Sequence, residues 1–189
     1  MKAKLKPKEK KTQTATIDIP NGIEVEVIGN AVKIKGTKGI LEKRLVQPNI
    51  SISKEENQIV LSAKNASKRE KRMINTFRAH FNNMIRGVQE GFTYKLKICY
   101  SHFPINVTIS GSEVIIKNFL GEKIPRKSNI LGGVKVEVNG DEVITSGIDI
   151  EKVSQTAANI ETATRITKRD RRVFLDGIYI TNKAGITVG

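Results

Sequence analysis

Val25-Glu26-Val27-Ile28-Gly29-Asn30-Ala31-Val32-Lys33-Ile34 and Val107-Thr108-Ile109-Ser110-Gly111-Ser112-Glu113-Val114-Ile115-Ile116 are the same sentence written twice. Apolar residues alternate, a glycine breaks the run, and alternation resumes three residues later, with each member of one stretch 82 residues from its counterpart in the other. Period-two alternation on either side of a glycine reads as two antiparallel strands joined by a tight turn. The glycine of the next turn is also in phase, Gly39 with Gly121. Apolar alternation alone arises by chance, but both glycines in phase point to an internal repeat.

Each copy continues in the same way. In the first, strands begin at Ala15 and continue through Ile17 and Ile19, Val25 and Val27, Val32 and Ile34, Leu41, Ile50 and Ile52, to Ile59–Leu61. The turns fall at Pro20-Asn21-Gly22, Gly29-Asn30, Gly36-Thr37-Lys38-Gly39 and Glu55-Glu56-Asn57. The period then lengthens. Met73, Ile74, Phe77, Phe81, Met84, Ile85 and Val88 recur every three or four residues, which makes one apolar stripe on a helix. Ser67 followed by Glu70 has the form of a capping box, and Gly91 is the expected stop. In the second copy, Val134 to Val138 and Val143 to Ile144 precede a helix whose stripe is Ile150, Val153, Ala157, Ile160 and Thr164, with Asp149 as N-cap. The fold class is α+β: two tandem duplicated domains, each an antiparallel β-sheet packed against one main α-helix. The expected division is a basic tail over 1–14, repeat domains over 15–91 and 92–183, and a C-terminal tail over 184–189.

The 189 residues carry 33 Lys and Arg against 19 Asp and Glu, a formal net charge of +14 and a pI near 9.9. Such an excess calls for an anionic partner, and polyphosphate is the default. No apolar run approaches the roughly 20 residues that cross a bilayer, and the lysine-rich stretch from Met1 to Lys11 lacks the apolar core of a signal peptide. The single cysteine, Cys99, excludes an internal disulfide framework and fits a reducing compartment. One cysteine and two histidines supply no zinc cluster. No nucleophile–base–acid arrangement is legible, Glu55 and Glu56 are adjacent rather than a separated catalytic pair, and the remaining acids are scattered. The chain reads as non-catalytic, with no metal or cofactor site. His80 lies near the edge of the helix stripe and reads as a packing residue.

The densest positive charge is Arg165, Lys168, Arg169, Arg171 and Arg172, relieved only by Asp170; it reads as a phosphate-contacting segment. Asn118 to Lys127 brings Lys123, Arg126 and Lys127 beside Phe119 and Leu120, and the two apolar residues are expected to complete a small core while the cations line a groove. Lys38 stands in a glycine-flanked turn that lacks the spacing of a phosphate-binding P-loop. Lys68, Lys71, Arg72, Arg78 and Arg86 fall on the far side of the first helix from its stripe, and Lys68 and Arg72 are taken as contact candidates. Aromatics are few and are mostly assigned to the core. The open sheet face shows Glu24, Glu26, Lys33 and Lys35, which favours structured RNA met through backbone and shape over stacked single strands.

Several strings also resemble a known family. Phe103-Pro104-Ile105, Asn118-Phe119-Leu120-Gly121-Glu122, Gln155-Thr156-Ala157-Ala158-Asn159-Ile160-Glu161 and Asp170 through Tyr179 are similar to the sixth-protein family of the large ribosomal subunit, in its archaeal or eukaryotic-like form. Thr76-Phe77-Arg78-Ala79-His80 fits the family's helix, and Gly36-Thr37-Lys38-Gly39 resembles its Gly-Pro-Lys-Gly turn with threonine in place of proline. The resemblance runs from about Ile17 to Lys183. It implies a cytoplasmic, ribosome-bound structural protein that contacts large-subunit rRNA near the stalk base and the sarcin-ricin loop. Implied neighbours are other large-subunit proteins, including those of the stalk base, with translation GTPases close by and no membrane. Carried residue by residue, the RNA-facing positions are Lys168, Arg169, Arg171, Arg172 and Lys123, with Lys38 from the matched turn. The alternatives are a free RNA-binding translational regulator of the same fold and a basic DNA-architectural protein.

Overall fold

The computed structural model describes residues 12–29, 31–64, 66–167, 169–170 and 172–188. Most of the lysine-rich tail, together with Lys168 and Arg171, therefore lies outside the described residues. The chain divides into two compact units, Met1–Gln89 and Glu90–Gly189.

The first unit contains strands β1 (Gln13–Asp18), β2 (Glu24–Ile28), β3 (Ala31–Gly36), β4 (Gly39–Arg44), β5 (Ile50–Glu55) and β6 (Gln58–Ala63), then helix α1 (Lys68–Gln89). The strands are antiparallel and pack against one main helix, as expected, but they are divided between two sheets rather than one. They make two antiparallel sheets, ordered β1-β6-β5 and β2-β3-β4. The reason lies in the connections. The Pro20-Asn21-Gly22 turn carries the chain away from β1, and the irregular 45–49 segment with Pro48 separates β4 from β5. β1 instead finds β6, with Ile17 opposite Ile59.

The second unit contains β7 (Phe92–Cys99), β8 (Asn106–Ser110), β9 (Glu113–Lys117), β10 (Arg126–Asn129), β11 (Val134–Asn139) and β12 (Glu142–Gly147), then α2 (Ile150–Ala163), β13 (Gly177–Lys183) and β14 (Ile186–Thr187). Its sheets run β10-β9-β8 and β11-β12-β7-β13-β14. β14 falls within the 184–189 segment expected as a tail and hydrogen-bonds back to β13.

The repeat is visible in the register. Val25 stands opposite Ile34 and Val27 opposite Val32 in the first unit, and Val107 opposite Ile116 and Ile109 opposite Val114 in the second. Val32, Ile34, Val114 and Ile116 are all fully buried. The turn glycines share one conformation, with φ +61° at Gly29 and +59° at Gly111.

Each helix lays its stripe over its own core. Ile74, Phe77, Phe81, Met84, Ile85 and Val88 of α1 bury against Ile17, Ile34, Ile59 and Leu61. Val153, Ala157 and Ile160 of α2 bury among Leu96, Val143 and Ile178. Burial of a large aliphatic or aromatic side chain is worth about 1.5–3 kcal/mol, so these stripes, rather than helix propensity, hold the helices.

Local signals at the helix ends act as their chemistry predicts. The Glu70 carboxylate accepts from the Ser67 amide at 2.9 Å, while the Ser67 hydroxyl accepts from the Arg69 amide at 3.2 Å. With the Ser67 hydroxyl foremost, these bonds hold the Glu70 carboxyl down at about 2. Asp149 accepts from the Glu151 amide at 3.0 Å, and Gly91 takes φ +74° just past α1.

Candidate nucleic-acid interface

Three loops of the second unit come together: residues 100–105 after β7, the 118–125 segment before β10, and the 164–176 connection from α2 to β13. Their contacts are specific. Pro104 carbonyl accepts from the Asn118 side-chain amide at 3.0 Å, and the Phe103 ring lies against Gly121, where an added Cβ would sit 3.3 Å from it. Gly121 has φ +75°, so both space and backbone reserve that position for glycine. The fully buried Asp176 accepts from the Ser101 amide at 2.7 Å and faces the His102 imidazole at 3.5 Å. His102 also stacks on Phe174, with ring centroids 5.0 Å apart.

The basic segment rides on this scaffold. The Asp170 side chain accepts from the Arg172 amide at 2.9 Å, and its carbonyl accepts from the amides of Val173 and Phe174. That side-chain turn projects the exposed Arg169 and Arg172 outward. The Arg169 guanidinium sits 4.8 Å over the Phe174 ring, a stacking that orders the arginine while leaving its hydrogen-bond donors for a partner. At the other end of the segment, α2 is tied to β13. The Thr164 hydroxyl accepts from the Ile178 amide at 3.0 Å, and the Glu161 carboxylate from the Ile180 amide at 3.2 Å.

Arg126, expected as a contact residue, is committed to the fold. It grips Glu122 through two bonds of 2.8 and 2.6 Å, and Nη1 donates to the carbonyls of Ala163 and Arg165. Its guanidinium lies 4.2 Å over the fully buried Phe119. Arg126 thus places a cation at the last carbonyls of α2, whose final turn has no basic residue of its own. The same grip holds the Glu122 carboxyl below the usual carboxylate range, and the nearby positive charge of Arg169 acts in the same direction. Phe119 completes the core as expected.

The other positions fall into groups. Lys123 is exposed beside Glu122, on the loop whose carboxylate feels Arg169. Arg165 is exposed at the exit of α2. Lys127 is exposed on β10 and pairs with Glu113 at 3.0 Å. In the first unit, Lys68 and Arg72 are exposed on the opening turns of α1. Lys38 is exposed at the opposite end, where its amide donates to the Val88 carbonyl at 2.9 Å. At 1.5 Å per residue that separation is about 30 Å along the helix, so the first-unit candidates do not form one cluster. Lys71, Arg78 and Arg86 are also on the solvent side of α1, and His80 is half-buried, with Lys43 Nζ 3.1 Å from Nδ1. Among the described residues there is no group of three His, Cys, Asp or Glu side chains that would hold a metal, and no helix long and apolar enough to cross a membrane.

Known proteins are similar to this chain over most of its length. The family model described as Ribosomal protein L6 matches residues 19–91 and 103–177, one stretch in each unit. The chain belongs to the ribosomal protein L6 family. It resembles the large ribosomal subunit protein uL6 of Methanococcus vannielii, with 50% identity over 169 residues that cover 89% of this chain and 93% of that protein. The uL6 of Ignicoccus hospitalis is 51% identical over 171 residues, covering 88% and 92%, and that of Aeropyrum pernix 49% over 165, covering 87% and 91%. As a member of the L6 family in its archaeal and eukaryotic-like form, the chain is a structural ribosomal protein of the large subunit and not an enzyme.

Within this L6 fold the aromatics are mostly core, as expected, five of the nine being buried. Phe77, Phe81, Phe92, Tyr94 and Phe119 are buried, but Tyr100 is 47% exposed, Phe103 45% and Tyr179 37%. With Phe174 they gather at the three-loop junction, accompanied by the exposed Val173 and Leu175. No local pattern announces this set, because its members lie in two stretches, 100–103 and 173–179, about 70 residues apart. The hint available in the sequence was the apolar Val173-Phe174-Leu175 directly after a run of arginines.

Proposed function

We propose that this protein is a structural constituent of the cytoplasmic large ribosomal subunit that binds rRNA at the stalk base and the sarcin-ricin loop, beside the docking region of translation GTPases. In this reading Arg165, Lys168, Arg169, Arg171, Arg172, Lys123 and Lys127 contact RNA phosphates. Lys38, Lys68 and Arg72 of the first unit meet other segments of the same RNA, and Arg126 serves by holding the loops in place. Neighbouring large-subunit proteins, including those of the stalk base, complete the surroundings. The observation that carries the reading is the Asp170-centred turn, which holds Arg169 and Arg172 outward from a rigid junction in a segment matched by the family model. Preorganised arginines grip phosphates with little further loss of side-chain freedom.

Mechanism follows from rigidity and charge. Each cation that displaces a condensed counterion adds to binding, and two sheet–helix units hold separate RNA segments in place. The test is binding to a stalk-base and sarcin-ricin RNA fragment across a salt series, against a scrambled duplex of equal length. The cognate fragment is expected to keep its advantage as salt rises. Replacing Arg169 or Arg172 by alanine is expected to reduce the salt slope by about one unit each. Equal loss of both RNAs with rising salt would overturn the specific site. Co-sedimentation through a high-salt wash separates an integral subunit protein from a free regulator.

A further inference from the structure

An open groove in the second unit lies beside the arginine-bearing segment, which contributes Phe174 and Leu175 to its lining. Its floor is the end of β7, Ile98 and Cys99, and its sides include Lys97, Tyr100, Leu175 and Tyr179. Tyr179 pairs directly with Lys97 across β7 and β13 and lies on the solvent face of the sheet. Its ring is seated over Gly177, where an added Cβ would come within 3.0 Å, and its hydroxyl donates to the Leu175 carbonyl at 3.2 Å. Tyr100 projects from the end of β7 with 47% exposure, and Leu175 is 59% exposed. Asp141 lines the rim, and its carbonyl is already engaged by the Ile98 amide at 2.7 Å. Exposed aromatic and aliphatic side chains thus meet a lysine and an aspartate in one groove.

We propose that this groove receives one unpaired RNA nucleobase, swung out of its helix and stacked on Tyr100, while its flanking phosphates meet Lys97 on one side and Arg169 or Arg172 on the other. Charge complementarity selects the occupant. A purely apolar peptide would leave the surrounding cations without counter-charge, whereas a nucleotide supplies a flat π-face and anionic neighbours together. The Asp141 carboxylate at the rim suits an exocyclic amine on the base edge, since an ionised carboxylate only accepts hydrogen bonds. This proposal rests on the RNA-binding reading and refines it, adding base stacking at one point to a surface otherwise met through the backbone.

The test uses the full-length protein and two hairpin RNAs that differ only in one inserted nucleotide, one fully paired and one carrying a single bulged 2-aminopurine. The bulged hairpin is expected to bind more tightly, with quenching of the probe on stacking. Tyr100→Ala is expected to lower its affinity by about tenfold, the effect of one lost base–aromatic stack. Tyr100→Phe retains the preference, and binding of the paired hairpin is unchanged in both variants. The sole cysteine, Cys99, gives a second readout that needs no substitution: the bulged RNA is expected to slow its alkylation by N-ethylmaleimide, and the paired RNA is not. No preference for the bulge, or a preference that survives Tyr100→Ala, would overturn the proposal even while both hairpins bind. Failure of both hairpins to bind would instead overturn the RNA-binding reading beneath it.

Discussion

The two units start their helices alike and finish them differently. α1 has 22 residues and α2 has 14. Moved forward by the repeat distance of 82, the last turn of α1, Gly87 to Gln89, falls on Arg169 to Arg171. The residues that continue a helix in the first unit are thus, in the second, the arginine-rich connection. The helix ends are capped accordingly. In the first unit the β3–β4 turn closes on α1: the Lys38 amide and the Thr37 hydroxyl both donate to the Val88 carbonyl, at 2.9 and 3.3 Å. An added Cβ on Gly36 would come within 2.7 Å of Val88, which shows how tightly the turn approaches. In the second unit the matching turn contributes Phe119, at the position equivalent to Thr37, and Arg126 reaches in to hold the α2 carbonyls. An aromatic–guanidinium plug thus closes the shorter helix, and the segment after it is released to carry charge. A charge-bearing loop has been made by stopping a helix early.

The largest effect that would break this comparison is loss of the plug. Phe119 is fully buried, so Phe119→Ala is expected to cost about 3–5 kcal/mol through lost burial and the cavity left behind. Thr37→Ala removes only one hydroxyl donor, shared at 3.3 Å between the carbonyls of Val88 and Gln89, and is expected to cost about 0.5–1 kcal/mol. The units can be read separately, because all three tyrosines, Tyr94, Tyr100 and Tyr179, lie in the second. Tyrosine fluorescence in urea reports that unit, and hydrogen exchange of α1 amides reports the first. Comparable losses from the two substitutions would show that the plug has no special role.

How far the sequence disclosed this architecture depends on range. The repeated hairpin, both helix stripes, the Ser67–Glu70 box, the Asp149 cap and the Gly91 stop are legible because each rests on residues within one or two turns of one another. The split into two sheets per unit was not, because β1 finds β6 and β13 finds β7 across long intervals of chain. The same limit governs the site. The arginines were visible as charge density, but Arg126 looks like any other surface cation until Glu122, Ala163 and Arg165 are brought around it. Nor does the sequence show that Tyr100, Phe174 and Tyr179 line one groove. Short-range chemistry gives elements and caps; the junction that presents the arginines is made of long-range contacts.

The repeated hairpin sharpens the comparison with a smaller and symmetric effect. Gly29 and Gly111 both occupy the left-handed region, and an added Cβ at either would meet nothing within 4 Å. The cost of alanine is therefore conformational alone, about 1–2 kcal/mol at each site. Equal destabilisation of the two units by Gly29→Ala and Gly111→Ala is the expected result, read by the same pair of probes. A marked inequality would mean that the shared register conceals different demands on the turn.

The smallest effect is fully present at neutral pH and is lost only in acid. In the first unit Glu70 accepts from both the amide and the hydroxyl of Ser67, and its carboxyl lies at about 2 against an ordinary value of 4.5. A folded-state value below the unfolded one means that the ionised form is favoured by folding. The resulting stability is fully present above the unfolded value and is lost as pH falls from about 5 towards 2. Glu70→Gln abolishes that titration, so the stability difference between wild type and variant should narrow as pH falls from 5 to 2. The measurement is hydrogen exchange of the first-turn amides of α1, with acid-dependent exchange chemistry corrected against an unfolded peptide. A constant difference across that range would mean that the short bonds around Glu70 do not distinguish its charged form. The α1 entrance would then be held by the Ser67 hydroxyl on the Arg69 amide, as the α2 entrance is held by Asp149 on Glu151.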